Sequence, residues 1–266
     1  MKVSALISDV DGTLMTHDKR LTPRTVEAVA ALHARRIPFA AISGRPPRGM
    51  RMLVEPLALT APLGGFNGGQ ITNPDLSPLE EHALAPDTAH RAYELMRRRG
   101  LDIWVFSGQD WLLTNPDDKH VAGEIRTVHY EPLVVKDFDG ALESAFKIVG
   151  VSGDHDYVAR CEIEAQAALG EAASASRSQA FYLDVTHPMA NKGVGVVRLA
   201  ALLGVPMSEV VVIGDGHNDL GMFAQSGLSI AMGNAPADVR QKARFVTAPN
   251  EQDGFAEAVR KYILDA

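Results

Sequence analysis

Short apolar, β-prone runs alternate along this chain with amphipathic helical stretches, and that alternation admits few folds. Strands joined through helices pair in parallel by crossovers, so the pattern predicts an α/β protein on a parallel sheet. The first run is Val3 to Ser8. Thr22-Pro23 then supplies an N-cap with proline at the first helical position, and Val26, Val29, Ala30 and Leu32 give the apolar spacing of a helix ending near Arg36. Ile37 to Ile42 is the second strand, stopped by Ser43-Gly44-Arg45 and followed by a helix rich in Met and Leu. Ala61 to Phe66 leads through the turn signal Asn67-Gly68-Gly69 to a short strand at Gln70 to Thr72.

From about His82 the pattern changes. A helix opens at Pro86-Asp87 and stops at Gly100, and Ile103 to Phe106 and Trp111 to Thr114 form a hairpin around Gly108-Gln109-Asp110. Helices at Lys119 to Val128 and Tyr157 to Leu169 and strands at Ala145 to Val151, Ser174 to Arg177 and Phe181 to Val185 complete an α+β unit. The α/β alternation resumes with a helix from Asn191 to Leu203, an all-apolar strand at Val210 to Ile213, a short helix from Asp219, strands at Leu228 to Ala231 and Phe245 to Val246, and a last helix from Gly254. The expectation is a discontinuous core, residues 1–82 and 187–266, carrying an α+β insertion at 83–186. A length of 266 residues suits two domains against a prior of about 150 residues each.

Composition sets limits on partners. The formal charge of −7 argues against a chain devoted to nucleic acid, which calls for a basic face. Cys161 is the single cysteine, so there is no intramolecular disulfide and no Cys/His zinc cluster; in a helical run it reads as a small buried filler. With no run of 18 apolar residues and an early break at Ser8-Asp9, neither a membrane span nor a signal peptide is expected, and the cytoplasm is the expected location.

Four polar clusters fall just after proposed core strands or where the chain returns from the insertion: Asp9-Val10-Asp11-Gly12-Thr13, Ser43-Gly44-Arg45, Lys192, and Gly214-Asp215-Gly216-His217-Asn218-Asp219. In open parallel sheets the C-terminal strand edge is where ligands bind, so the four converge on one crevice. Asp9 and Asp11, two residues apart on an extended chain, lie on one side at a separation of about 7 Å. Further carboxylates at Asp215 and Asp219 add repulsion that a cation relieves, and an all-oxygen donor set suits Mg²⁺. Lys192, the Ser43 hydroxyl and nearby backbone N–H groups would hold phosphoryl oxygens, and a carboxylate nucleophile, a metal and a lysine suffice for phosphoryl transfer. Walker, GxGxxG, GxSxG and HExxH motifs are absent from the sequence.

The ordered set DVDGTL (9–14), SGR (43–45), NKG (191–193) and GDGHND (214–219), with a large insertion after the second, resembles the haloacid dehalogenase (HAD) superfamily and, within it, the Cof-type phosphatases with a C2B cap. The resemblance implies a Rossmann-like core, an α+β cap and Mg²⁺-dependent phosphatase activity on a small phosphorylated metabolite, with sugar phosphates first. It also implies residue roles. Asp9 would be the nucleophile forming an aspartyl-phosphate, and Asp11 the general acid and base, with a carboxyl pKa raised among other acids. Ser43, Gly44, Arg45, Lys192 and Asn218 would bind the substrate's phosphoryl group or its surroundings. Asp9, the Asp11 carbonyl and Asp215 would hold Mg²⁺, with Asp219 in or just behind them. Ser8 stands where the family commonly has a bulky apolar residue, and His217 fills a variable slot. Phosphomutase-type transfer and a binding module with little turnover are the rival expectations. Specificity is expected in the cap, around Asp110 to Thr114 and Phe181 to Thr186. Arg97-Arg98-Arg99 reads as a solvated helix end, and Trp104 and Trp111 as cross-strand packing.

Overall fold

The structure, a computed structural model, describes residues 2–265. The chain forms two compact units, one made of the residues up to Glu80 with those from Asn191 onward, the other of Glu81–Ala190. In chain order the strands are β1 (Ala5–Ser8), β2 (Phe39–Ile42), β3 (Leu63–Gly65), β4 (Gln70–Thr72), β5 (Pro78–Glu81), β6 (Asp102–Ser107), β7 (Asp110–Leu113), β8 (Leu133–Val134), β9 (Ala145–Val151), β10 (Ser174–Gln179), β11 (Tyr182–Thr186), β12 (Val210–Gly214), β13 (Leu228–Ala231) and β14 (Phe245–Val246).

The first unit holds a sheet in the order β14-β13-β12-β1-β2-β3-β4-β5. Pairing is parallel from β14 across to β3, and β4 turns back antiparallel on β3. Both faces of the central strands are buried, because successive side chains point to opposite sides and each side meets helices. Leu6, Phe39, Val211, Ile213 and Ile230 pack with Val29, Leu32, Phe255 and Val259 on one face. Ala5, Ile7, Ala40, Ile42 and Val212 pack with Val196, Leu199, Met222 and Phe223 on the other. This is why β1 and β12 read as continuous apolar runs.

The helix at Pro23–Ala34 starts as expected, with Thr22 accepting from the Thr25 N–H. The Met- and Leu-rich segment differs: it is a 3₁₀ run, Pro47–Leu53, not an α-helix. Pro47 at its first position is compatible with either helix, and Gly49 disfavours extended α-helical order, so only the short, tight ladder forms. The last helix, Gly254–Val259, ends in a π turn over Arg260–Leu264.

The second unit is a sheet ordered β10-β11-β9-β6-β7-β8, antiparallel except where β8 joins β7. The helices Pro86–Arg98 and His155–Leu169 cover one face, where Ala92, Met96, Val158, Cys161 and Ala165 meet Ile103, Val105, Ile148 and Leu183. The opposite face carries Trp104, Phe106, Trp111 and Tyr182; the Trp104 ring lies 5.0 Å from both Trp111 and Tyr182. Trp111 and Leu113 are fully buried in this packing, so part of the segment from Asp110 to Thr114 belongs to the unit's own interior. The sequence boundaries fall after 82 and 186, whereas the units divide after Glu80 and Ala190. Stacking of the His82 and His187 rings at 5.4 Å keeps both connecting segments with the second unit.

Ile213 sits with no exposed surface on β12, between β1 and β13. Ile213→Ala should therefore destabilise the protein by about 2–5 kcal/mol through lost burial and the cavity left behind. Urea unfolding of purified wild type and variant measures this, and a change under 1 kcal/mol contradicts the packing described, by the same range of about 2–5 kcal/mol.

Candidate active site

The C-terminal ends of β1 and β12 are adjacent because Ser8 pairs with Ile213, and the Asp9 N–H donates to the Ile213 carbonyl at 2.9 Å. Ser8 is buried and its hydroxyl donates to the Asp9 carbonyl at 2.7 Å, fixing the turn that follows; this is the work of the unusual serine. Asp9 and Asp219 then meet Lys192. The ammonium donates to Asp9 Oδ1 at 2.5 Å and to Asp219 Oδ1 at 2.6 Å, and all three side chains are buried. Lys192 is placed there as the first residue of the helix Lys192–Leu202, whose N-cap Asn191 accepts from the Val194 N–H.

Asp219 is saturated by its surroundings. Its Oδ2 accepts from the N–H groups of Asp215 and Gly216, both at 2.8 Å, so it shapes the loop as well as neutralising Lys192. Asp215 is held more loosely, by the Thr13 hydroxyl on Oδ1 at 3.0 Å and the Asn234 amide on Oδ2 at 3.2 Å. Ligand atoms of Asp9, Asp215 and Asp219 lie within 4.8 Å of one another. Three carboxylates at that spacing against one lysine make an oxygen-only donor set that fits a hard divalent cation. The same crowding shows in the proton equilibria. Burial first, then the charges of Asp219 and Asp215, push the Asp9 carboxyl well above its ordinary range against the pull of Lys192. Burial and Asp219 raise Asp215 as well. Burial works against the charged form of Lys192, but Asp219 and Asp9 outweigh it and raise its pKa, so the ammonium stays protonated.

Asp11 behaves in the opposite way to the sequence expectation. Burial alone would raise it, yet its carboxyl is lowered to about 2. The cause is a pair of cations: the Arg45 guanidinium donates to both oxygens at 2.6 Å, and Lys19 Nζ to Oδ1 at 2.6 Å. Arg45, expected to reach substrate, is itself buried and also donates to the Gly49 carbonyl at 3.2 Å. In this arrangement it is a clamp on Asp11.

Ser43 is buried at the end of β2, and its hydroxyl accepts from the Arg45 N–H. Asn218 donates to Asn67 Oδ1 at 3.2 Å, and Asn67 in turn donates its N–H to the Ser43 carbonyl, so the fourth cluster touches the second through a residue sequence reading used only as a turn marker. Gly44 lies in the same loop. His217 points to Asp238 at 2.7 Å and stays exposed. Lys19, Thr13, Asn67 and Asn234 received no role from sequence. Asn67 and Asn234 each follow the end of a core strand, the signal that marked the four clusters; Lys19 depends on a left-handed backbone, φ 61°, that no pattern announces.

With this geometry established, similarity gives the lineage. A family model described as haloacid dehalogenase-like hydrolase matches residues 6–259, and the chain belongs to that family. A Haemophilus influenzae protein is 32% identical over 257 residues, covering 96% of this chain and 97% of its own. A Cronobacter sakazakii HMP-PP phosphatase is 30% identical over 231 residues, covering 85% and 83%. The crystal structure of a haloacid dehalogenase-like hydrolase from Bacteroides thetaiotaomicron superimposes with a TM-score of 0.90 at 28% identity, covering 98% and 99%. The protein is an enzyme of the phosphatase class of this superfamily, of the Cof type. Among the described residues no helix is long and apolar enough to cross a membrane.

Removing the lysine leaves buried carboxylates unneutralised, so Lys192→Met should destabilise the protein by about 3–5 kcal/mol at neutral pH. The native state of the variant takes up protons, above all at Asp9, more readily than the unfolded chain. Its stability deficit should accordingly shrink as pH falls from 8 toward 5. Urea melts at pH 8 and pH 5.5 read this; a deficit that widens on acidification contradicts it.

Proposed function

We propose that the protein is a Mg²⁺-dependent phosphatase that hydrolyses a small phosphorylated metabolite through an aspartyl-phosphate on Asp9. The observation that carries this reading is the buried junction of Asp9, Lys192 and Asp219 at the C-terminal strand edge, with Asp215 completing an acidic cluster beside the nucleophile. Mg²⁺ would be held by Asp9, the Asp11 carbonyl and Asp215, and would supply charge neutralisation for the phosphoryl oxygens. Asp219, with both oxygens occupied by the chain itself, serves from behind by holding Lys192 and the loop.

Asp9 attacks phosphorus while one of its oxygens stays anchored by Lys192, which keeps the other aimed and spreads the developing charge. Ser43, the Gly44 amide, Lys192 and Asn218 bind phosphoryl oxygens. Arg45 and Lys19 have an anion already, the Asp11 carboxylate; an arriving phosphoryl group competes for them, and their release lets the Asp11 pKa climb from about 2 into the range of a working acid. Asp11 then protonates the leaving alcohol and takes a proton from the water that opens the aspartyl-phosphate.

Relatives support the substrate class. They include the HMP-PP phosphatase above and, at 24% identity, a Bacillus subtilis protein named 5-amino-6-(5-phospho-D-ribitylamino)uracil phosphatase. We place sugar phosphates first among such metabolites, read the second unit as a cap that selects the leaving group, and assign the enzyme to the cytoplasm, where a lone buried thiol stays reduced.

Hydrolysis of p-nitrophenyl phosphate should require Mg²⁺, stop on addition of EDTA and vanish in Asp9→Asn. Asp11→Asn should lower kcat by about 10²–10⁴-fold on an alkyl phosphate with a poor leaving group and by less on the nitrophenyl ester. Full activity in Asp9→Ala would sink the proposal, and phosphoryl delivery to an added sugar alcohol in place of water would turn it into a transferase.

A further inference from the structure

Asn234 lies outside every motif that suggested the chemistry, in the Gly233-Asn234 turn after β13. Its side-chain amide nevertheless bridges two parts of the acidic cluster. Nδ2 donates to the Gly12 carbonyl at 3.0 Å and to Asp215 Oδ2 at 3.2 Å. Its Oδ1 accepts the Asn250 N–H at 3.0 Å, and the Asn250 side chain donates to the Met15 carbonyl at 2.9 Å. Both hydrogen-bonding ends of Asn234 are therefore committed, which fixes the amide orientation.

The bridge exists because Gly12 and Asp215 approach unusually closely. Gly12 has φ +80°, and a β-carbon at that position would collide with the Asp215 carboxylate. One short amide consequently reaches a carbonyl of the loop after β1 and a carboxylate of the loop after β12. The choice of a neutral donor matters too. Asp215 already faces Asp9 and Asp219, and a lysine or arginine here would take up the carboxylate as the clamp on Asp11 does. An amide orients the carboxylate without neutralising it, leaving its charge for a cation.

We infer that Asn234 is a positioning residue for the divalent metal: with Thr13 it sets the rotation of the Asp215 carboxylate and ties it to the loop that carries Asp9 and Asp11. The inference rests on the metal-dependent reading above and goes beyond it by assigning a determinant of metal affinity in a residue that touches neither metal nor substrate.

Mn²⁺ binding to the free protein, followed by loss of the hexaaqua Mn²⁺ EPR signal, tests it without turnover. Asn234→Ala should weaken Mn²⁺ binding by about 10-fold or more. The Mg²⁺ concentration giving half-maximal p-nitrophenyl phosphate hydrolysis should rise in parallel, while kcat at saturating Mg²⁺ stays within about threefold, as expected for an outer partner of the metal ligand. Asn234→Ser, which keeps a small polar side chain too short for the bridge, should behave in the same way and guards against a folding defect in one variant. His217→Ala, in the neighbouring loop but directed at Asp238, should bind Mn²⁺ as wild type does. Wild-type affinity in both Asn234 variants overturns the inference, as does an equal loss in His217→Ala, which would mark general loop damage. Absence of Mn²⁺ binding in the wild type would instead overturn the metal reading itself and this inference with it.

Discussion

A lysine ammonium with almost no access to water is tolerable only if its charge is met inside the protein, and Lys192 is met twice, by Asp9 and by Asp219. The three groups come from the end of the first strand, from the helix that follows the second unit, and from the loop after β12. A single desolvated charge triad thus ties together the beginning, the return and the later part of the first unit. It also explains how an inserted unit of more than a hundred residues is accommodated. The insertion leaves the chain after β5 and ends just before Asn191, so the interruption falls outside the segment that must deliver Lys192, and the N-cap at Asn191 fixes that helix locally.

Around the triad, charge is sorted into two zones only two residues apart. Burial and the neighbouring carboxylates push the Asp9 carboxyl up against the pull of Lys192, whereas Arg45 and Lys19 pull Asp11 down in spite of its burial. Nothing intrinsic to the two aspartates separates them, and the difference is made wholly by which loops each one meets. This resting order is the reverse of what a nucleophilic Asp9 and a proton-donating Asp11 would need, so the proposed reaction requires a bound cation and phosphoryl group to invert it. Here the sorting is adjustable, because the cations on Asp11 are ones that a phosphoryl group also attracts.

Much of this was legible in the sequence because parallel sheets convert order along the chain into position in space. β1 and β12 could be recognised as neighbours in chemistry, since polar clusters follow two apolar runs of the kind that fill a sheet centre, and the fold supplies the rest. What escaped was whatever depends on loops meeting loops. The Lys19 position follows from a left-handed residue with no glycine to advertise it. The place of Arg45 beside Ser43 suggests reach toward a substrate's phosphate or the cap, while its length lets it turn back to Asp11 and the Gly49 carbonyl. The 3₁₀ run at Pro47–Leu53 has the apolar residues of an α-helix, and residue types alone do not separate the two ladders over seven residues. Strands as short as Leu133–Val134 carry too few residues to show any period at all.

The distribution of donors over the carboxylates then distinguishes framework from working groups. Asp219 accepts from an ammonium and two backbone amides and is fully buried, so any new ligand would have to displace bonds that hold the loop. Asp215 accepts from a hydroxyl and a side-chain amide, neither charged, and keeps partial exposure. The cheaper carboxylate to recruit is therefore Asp215, and the hydrogen bonds of Asp219 are what keep it where recruitment is possible. The groups that meet here span residues 9 to 250, so the site draws on loops from both chain segments of the first unit. Its geometry is accordingly a property of the finished first unit and of no single motif within it.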